Sequence, residues 1–154
     1  MSSTPILHDR FTLERTFSSR PSQVFAAFAQ LEQKRRWFGC HDGIRIIESR
    51  MDFRVGGVEH WHGWHNDQVE FTNDTVFHHI VADERIVLSY TMTINGVPLS
   101  SSLLALEFAQ HKGGTKLTLT EHIAVLDGSG AACVSSRIAG TGAGLDNLVQ
   151  LLKT

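Results

Sequence analysis

The run RIVLSYTMTINGVPLSSSLLALEFA occupies residues 85–109 and predicts two antiparallel strands joined by a tight turn. Asn95-Gly96 is a strong signal for a two-residue hairpin, because both residue types tolerate the positive φ angles that such a turn requires. In the first arm Leu88, Tyr90 and Met92 recur at every second position and therefore share one face of the strand. The two arms of this hairpin are predicted at 85–94 and 99–109.

Strand patterns continue on both sides of this hairpin. Before it, apolar residues alternate with polar ones or form short runs between turn residues, and after it a tight turn at 111–114 leads into another strand. The predicted strands outside the hairpin are 9–17, 44–48, 51–55, 58–64, 69–71, 75–82 and 115–123. So many short strands separated by turn signals favour a single antiparallel sheet.

A short helical segment follows the first strand. Pro21 suits the first turn of a helix, and the apolar spacing that follows predicts a short helix or a bent pair of helices over 21–36. The basic run Lys34-Arg35-Arg36 closes this segment, where cations favour the negative end of a helix dipole, and it is expected on a solvated face.

The C-terminal segment 130–153 returns to a helical period. Its apolar stripe contains Gly140, Gly142 and Gly144, each of which costs a helix about 1 kcal/mol relative to Ala. Close packing, or room left for something else, is expected to offset that cost. The whole pattern predicts an α+β fold, in which helices cover one face of a strongly curved antiparallel sheet.

The composition is that of an ordinary globular domain. The chain has 154 residues, and 14 Lys and Arg against 16 Asp and Glu give a net charge of −2. This length predicts one domain over 1–154, and the near-zero charge excludes the strong attraction to phosphate of a nucleic-acid-binding protein. The sequence has neither a signal-peptide pattern nor an apolar run of the ~20 residues that a membrane helix needs. Cys40 and Cys133 match no metal or redox spacing, so we expect free thiols in a cytoplasmic protein that does not insert into a membrane.

Seven short motifs stand at characteristic places in this pattern: LERTF at 13–17, RP at 20–21, VF at 24–25, WFG at 37–39, DFRVGG at 52–57, IVADERIVL at 80–88 and GGTKLTL at 113–119. With these motifs the chain resembles the START-like superfamily, also called Bet v 1-like or SRPBCC. More narrowly, it resembles the bacterial branch named after the activator of the heat-shock chaperone ATPase. The resemblance covers nearly the whole chain, and DFRVGG is its most specific piece.

The resemblance implies a helix-grip fold, in which a curved antiparallel sheet wraps around a long C-terminal helix and two short helices follow the first strand. It also implies a cavity between sheet and helix that receives apolar or amphipathic small molecules, with no cofactor. The chain departs from the family at Gly140-Thr141-Gly142, where Gly-Trp is common. The loss of a bulky ring at this point is expected to widen or reshape the cavity.

Strand alternation nominates the residues of that cavity. Arg15 shares a face with Phe17, and Glu121 shares a face with Leu119, so Arg15 and Glu121 are expected to be neighbours. They would form either an ion pair at the cavity rim or an anchor that orients a ligand, because a buried cation needs an anionic partner. Tyr90 would pack in the core or orient a ligand with its hydroxyl. The predicted cavity residues are Arg15, Phe17, Trp61, His79, Tyr90, Leu106, Leu119 and Glu121.

The run His60-Trp-His-Gly-Trp-His65 leaves three interpretations open. Histidines at i and i+2 on one strand face could supply two ligands to a metal ion, with others from neighbouring strands. Alternatively, Trp61 and one or two of the histidines line the cavity, or the histidines face solvent. We predict no metal site.

Three functions remain open at this stage. The first is binding of a small hydrophobic or amphipathic ligand, lipid or polyketide-like, by a monomer or homodimer. The second is a cyclase or hydrolase that uses the same cavity, with a His or Glu as acid and base. The third is a stress-response protein that activates a chaperone ATPase, an expectation that comes from the family name alone. Nucleophilic catalysis is disfavoured because Cys40 and His41 are adjacent and generally point apart.

Overall fold

Seven antiparallel strands form one curved sheet in the computed structural model of the protein, which describes residues 4–153. The strands are β1 (Leu7–Phe17), β2 (Ile44–Met51), β3 (Val58–His65), β4 (Val69–Val81), β5 (Arg85–Ile94), β6 (Val97–His111) and β7 (Gly114–Val125). They lie in the order β1-β7-β6-β5-β4-β3-β2. The described residues do not include 1–3 and 154 of the predicted domain. Most of the segment on which the signal-peptide prediction depends therefore lies outside them.

In the part of the chain that the structure describes, three helices lie on the concave side of the sheet. They are α1 (Pro21–Ala29), α2 (Leu31–Lys34) and α3 (Ala131–Leu151). Pro21 occupies the first turn of α1, where its missing N–H would have no partner in any case. The α+β helix-grip architecture predicted from the sequence is therefore confirmed, with the bent pair of short helices after β1 and the long helix at the C-terminus. Within residues 4–153 no helix is long and apolar enough to cross a bilayer.

Two strand predictions differ from the structure at polar residues. The strand predicted at 51–55 is absent, because the chain leaves the sheet after Met51 and turns back on itself. In that turn the N–H of Asp52 donates to the carbonyl of Val58 at 2.8 Å, and a Cβ on Gly57 would lie 2.0 Å from the carbonyl oxygen of Asp52. The predicted strands 69–71 and 75–82 are one continuous strand, because Asn73 and its neighbours pair with both β3 and β5.

The core lies between the concave face and the helices. At one end of the sheet, α1 packs its aromatic side chains on β6: the rings of Phe25 and Phe28 meet Phe108 edge to face, with centroids 5.3 and 5.6 Å apart. The Nε1–H of Trp37 donates to the carbonyl of Ala27 at 3.0 Å, which ties the chain after α2 back to α1. This aromatic packing closes one end of the space beneath α3.

A β-bulge in β4 changes the direction of its side chains. Phe77 pairs with Leu88, but the next paired residue is His79, opposite Val87, so that His78 is an extra residue. An extra residue shifts the alternation by one position, and a shift of one sends a side chain to the opposite face. Both His78 and His79 are therefore exposed on the convex face.

Candidate functional site

A cavity of about 500 Å³ lies between the concave face of the sheet and α3. Its walls are mainly apolar, with aromatic residues at the α1 end and aliphatic residues on the central strands. The apolar lining includes Phe28, Trp37, Phe38, Phe71, Leu88, Met92, Ile94, Leu99, Leu104, Leu106, Leu119 and Leu145. This size and character are those of a small-molecule site in general, about 300–1,000 Å³ and mostly apolar.

One stripe of α3 forms the roof of the cavity. The lining residues of this helix follow the spacing of a single helical face. They are Cys133, Ser136, Arg137, Gly140, Thr141, Gly144 and Leu145. Most of these side chains are small or absent, so the helix leaves space between itself and the sheet.

The glycines of α3 fall into two classes. A Cβ on Gly140 would meet no atom within 4 Å, so this glycine leaves room in the cavity. A Cβ on Gly142, which lies on another side of the helix, would come within 3.1 Å of Nη2 of Arg15 and therefore serves close packing. The sequence predicts that these glycines either allow close packing or leave open space. Gly142 allows close packing and Gly140 leaves open space, so each expectation holds at a different position of the same helix.

A row of polar residues crosses the floor of the cavity. Cross-strand pairing places Glu59 opposite Thr75, Thr75 opposite Tyr90, and Tyr90 opposite Ser102. We call these four residues the polar row. Adjacent strands lie about 4.8 Å apart, so the row extends roughly 14 Å across the sheet. One side of the row is flanked by apolar residues, including Phe77, Leu88 and Leu104, and the other side by Trp61, Asn73, Met92 and Ser100. The row ends at a buried cation on each side.

The first end of the polar row is closed by Arg137 of α3. Its Nη1 donates to Oε2 of Glu121 at 3.1 Å and to the hydroxyl oxygen of Tyr90 at 2.7 Å, and its Nη2 donates to Oγ of Ser100 at 2.7 Å. The same Oε2 accepts hydrogen bonds from the hydroxyls of Tyr90 and Ser102, both at 2.7 Å. Glu121 is fully buried, and among residues 4–153 its Oε1 has no hydrogen-bond partner.

This cluster holds Tyr90 protonated and Arg137 charged. Burial and then the negative charge of Glu121 raise the pKa of Tyr90 well above its usual range. Burial alone would lower the pKa of Arg137, but its electrostatic interactions with Tyr90 and Glu121 outweigh burial, so the pKa of Arg137 is raised. The Tyr90 hydroxyl is thus a fixed donor to Glu121, and Arg137 a permanent cation.

The second end of the polar row is closed by Lys34 of α2. Its Nζ lies 2.7 Å from Oε2 and 2.9 Å from Oε1 of Glu59, and 4.9 Å from the ring centroid of Phe38. The Nε1–H of Trp61 donates to Oε2 of Glu59 at 2.6 Å. The side chains of Lys34 and Glu59 are only 10% and 2% exposed, so this pair is an ion pair of the interior.

The sequence-predicted site residues divide into three groups. Tyr90, Leu106 and Leu119 line the cavity, and Glu121 lies directly behind Tyr90. Trp61 is buried on the same face but lies beneath Phe38, with the ring centroids 4.7 Å apart, and it contacts Glu59 rather than the cavity. Phe17 belongs to the core at the far end of β1.

The expected pairing of Arg15 with Glu121 is wrong. Arg15 does share the concave face, but it lies opposite Leu117, four residues along β7 from Glu121 and therefore about 13 Å away. Its Nε donates to Oδ1 of Asp146 at 2.7 Å, outside the cavity lining. Glu121 takes Arg137 as its partner instead.

The expected cavity position of His79 is also wrong. Simple alternation from the buried Phe77 would direct His79 inward, but the bulge at His78 directs it to the convex face, where it is exposed.

The histidine run of β3 is divided between the two faces of the sheet. Nδ1 of His60 lies 2.5 Å from Oδ1 of Asp74, and Nε2 of His62 lies 2.6 Å from Oε2 of Glu70. These residues lie on the opposite face from Trp61, whereas His65 lines the cavity together with His41. In the described part of the chain, His, Cys, Asp and Glu side chains form no group of three that could hold a metal ion.

Sequence reasoning missed the two cations of the site. Lys34 was expected on a solvated face with Arg35 and Arg36, but it is buried against Glu59. The pattern around Arg137 does not by itself indicate a site, because a single charged residue beside an apolar helical stripe is ordinary for a surface helix. The available signal was its position four residues after Cys133 and three before Gly140, on one helical face.

Comparison with known proteins agrees with this architecture. Residues 18–153 match the family described as activator of Hsp90 ATPase homolog 1-like protein. None of the curated proteins matches the chain.

Solved structures are similar over nearly the full length. A protein from Rhizobium leguminosarum is 33% identical, with a TM-score of 0.90 and 97% of both chains covered. A protein from Rhizobium loti is 40% identical, with a TM-score of 0.86 and coverage of 95% of this chain and 98% of the other. An AHSA1-like protein from Aeromonas hydrophila, 20% identical with a TM-score of 0.70, shares the fold over 94% of this chain and 92% of its own. The protein belongs to the family of activator of Hsp90 ATPase homolog 1-like proteins.

Proposed function

We propose that the protein binds a small hydrophobic or amphipathic molecule in the cavity between its sheet and α3. The observation that carries this proposal is an apolar cavity of about 500 Å³ whose roof is a helix stripe of small residues, with open space above Gly140. A core that served stability alone would gain by filling this space, because larger apolar side chains there would bury more apolar surface and add packing contacts. A few polar groups set in apolar walls are the usual means of orienting such a molecule.

Binding has better support than acid–base catalysis at the same place. Of the residues considered for catalysis, only Tyr90 and Glu121 come together, and they are bonded to each other. The raised pKa of Tyr90 disfavours a tyrosinate base, and Glu121 is fully buried behind it. Both groups are therefore better suited to holding a fixed polar surface than to exchanging protons with a substrate. A chaperone partner, a stress-response role and a cytoplasmic location stay predictions.

Fluorescence titration with the uncharged dye Nile red tests the proposal. Wild-type protein is expected to bind the dye saturably, with a blue-shifted emission. Gly140→Trp is expected to weaken binding at least tenfold, because the indole enters the open space above Gly140. Ala139→Trp is the matched control, since residue 139 is exposed on the same helix and does not line the cavity.

Two results count against binding in this cavity. One is the absence of saturable dye binding to folded wild-type protein. The other is an equal effect of the two tryptophan variants, which would place the dye elsewhere on the surface.

A further inference from the structure

The charged side chains that line the cavity are each paired within the protein. Lys34 faces Glu59, and Arg137 faces Glu121, with the shortest N–O distances 2.7 and 3.1 Å. Two cations are thus matched by two carboxylates, so the polar row and its two ends carry no net charge. His41, His65, Tyr90 and Cys133 are the other ionisable side chains of the lining.

We infer that the cavity selects uncharged molecules that carry a hydrogen-bond-accepting oxygen, such as ketones, esters and alcohols, over carboxylates of the same shape. This inference rests on the proposed binding function and names the chemical class of its ligand. A carboxylate that entered the cavity would lose its hydration without meeting an unmatched cation, and such burial is strongly unfavourable. It could gain an unmatched cation only by displacing Glu59 or Glu121, each of which would then be buried without its partner.

Two groups of the lining that can only donate are left over, whereas the hydroxyls of Ser136 and Thr141 and the imidazoles of His41 and His65 can either donate or accept. The described hydrogen bonds of Arg137 use Nη1 and Nη2, and within residues 4–153 its Nε takes no acceptor. The side-chain amide of Asn73 accepts from Oγ1 of Thr75 at 3.3 Å, and its Nδ2 has no acceptor among the same residues. The hydroxyl hydrogen of Tyr90 is already committed to Glu121. A ligand therefore satisfies this surface best by supplying an acceptor oxygen.

Competition between two molecules of nearly equal shape tests the inference. 2-Acetylnaphthalene and 2-naphthoate differ in a methyl group against an ionised oxygen. Each is titrated against protein-bound Nile red at pH 8, above the ordinary pKa range of imidazole. Wild-type protein is expected to bind the ketone at least tenfold more tightly than the carboxylate.

The ketone is also the more apolar of the two molecules and would enter any apolar cavity more readily. A variant that changes only the charge of the cavity separates this effect from selection against the carboxylate. Glu121→Gln frees the charge of Arg137, so the affinity ratio of ketone to carboxylate is expected to fall at least tenfold. Glu107→Gln, on an exposed position of β6, is the matched control and is expected to keep the wild-type ratio. Glu59→Gln, which frees Lys34 instead, gives the same test if Glu121→Gln does not fold.

The outcomes separate this inference from the proposed function. If wild-type protein binds Nile red but prefers the carboxylate, binds both equally or binds neither, the inference is overturned and dye binding still supports the function. An unchanged ratio in a folded Glu121→Gln or Glu59→Gln protein also overturns it. If the folded protein binds neither dye nor probes, the proposed function fails and the inference with it.

Discussion

Nη1 of Arg137 on α3 lies 3.1 Å from Oε2 of Glu121 on β7, and both groups are almost completely withdrawn from solvent. This ion pair joins the roof of the cavity to its floor. It also positions Tyr90, which donates to the same carboxylate oxygen and accepts from the same guanidinium nitrogen. The pair therefore links the stability of the protein to the polar surface that a ligand would contact.

Removal of the cation should be costly. Arg137→Ala is expected to lower the free energy of unfolding by about 3–5 kcal/mol, because it leaves a buried carboxylate without its partner. Urea denaturation measures this loss. Arg54→Ala is the control, since Arg54 pairs with Asp52 on the exposed surface, where such pairs contribute at most about 1 kcal/mol. A loss for Arg137→Ala no larger than the control would contradict this account of the pair.

The ionisation of Tyr90 can be followed directly, because it is the only tyrosine of the chain. Its pKa is raised in the folded protein by burial and by Glu121. The phenol is therefore expected to stay protonated through pH 11 in the native state and to titrate near pH 10 after unfolding in urea. Absorbance at 295 nm reports both transitions, and a native transition near pH 10 would be incompatible with the buried cluster.

Because the pKa of Tyr90 is raised in the folded protein, the free energy of unfolding should fall with rising pH above about pH 10. Because the folded protein holds the phenol proton more tightly than the unfolded chain does, the protonated phenol stabilises the native state. This stabilisation is complete below about pH 10, the ordinary pKa of tyrosine, and is lost as the pH rises through the folded-state pKa. Tyr90→Phe removes the titrating group. Its free energy of unfolding should consequently fall less steeply than that of the wild type above pH 10, in urea titrations at matched pH.

The two glycines of α3 should respond differently to Ala. Gly140→Ala is expected to raise the free energy of unfolding by about 0.5–1 kcal/mol, because Ala favours a helix and the new Cβ meets no atom within 4 Å. Gly142→Ala should gain less, since its Cβ would lie 3.1 Å from Nη2 of Arg15. Thermal unfolding of the two variants compares them, and a destabilised Gly140→Ala would mean that the space is not open.

Arg15 should not affect ligand binding. Its partner Asp146 is 64% exposed and Arg15 itself 27%, so Arg15→Ala is expected to cost at most about 1 kcal/mol of stability. Nile red affinity should stay within twofold of the wild-type value, because Arg15 lies outside the cavity lining. A tenfold loss of dye binding in a folded variant would restore Arg15 as a ligand anchor.

The fold could be predicted because the turn residues and the alternation of apolar residues in the sequence agree with the strand order of the sheet. Asn95-Gly96 forms the turn between β5 and β6, with positive φ at both residues, and the predicted strand 85–94 matches β5. The ends of the strands follow less directly from the sequence. Polar residues at 72–74 look like a turn in sequence, but the sheet accepts them because the hydroxyl of Thr72 bonds that of Thr93 across the strands.

The site could be predicted only in part, because it depends on register and on the placement of helices. Tyr90 and Glu121 follow from strand alternation, but a bulge at His78 reverses the face of His79. Which cation meets Glu121 depends on where α3 crosses β7. Arg15 lies on the correct face at the wrong distance, and Arg137 reaches Glu121 from the helix.

The central claim is that a small uncharged molecule binds beneath α3. The most direct measurement is a ¹H–¹⁵N correlation NMR titration of the wild-type protein with 2-acetylnaphthalene. Saturable shifts are expected at the amides of Arg137, Gly140 and Gly144, with little change at His79 on the convex face. Shifts confined to the convex face, or none that saturate, would contradict the claim.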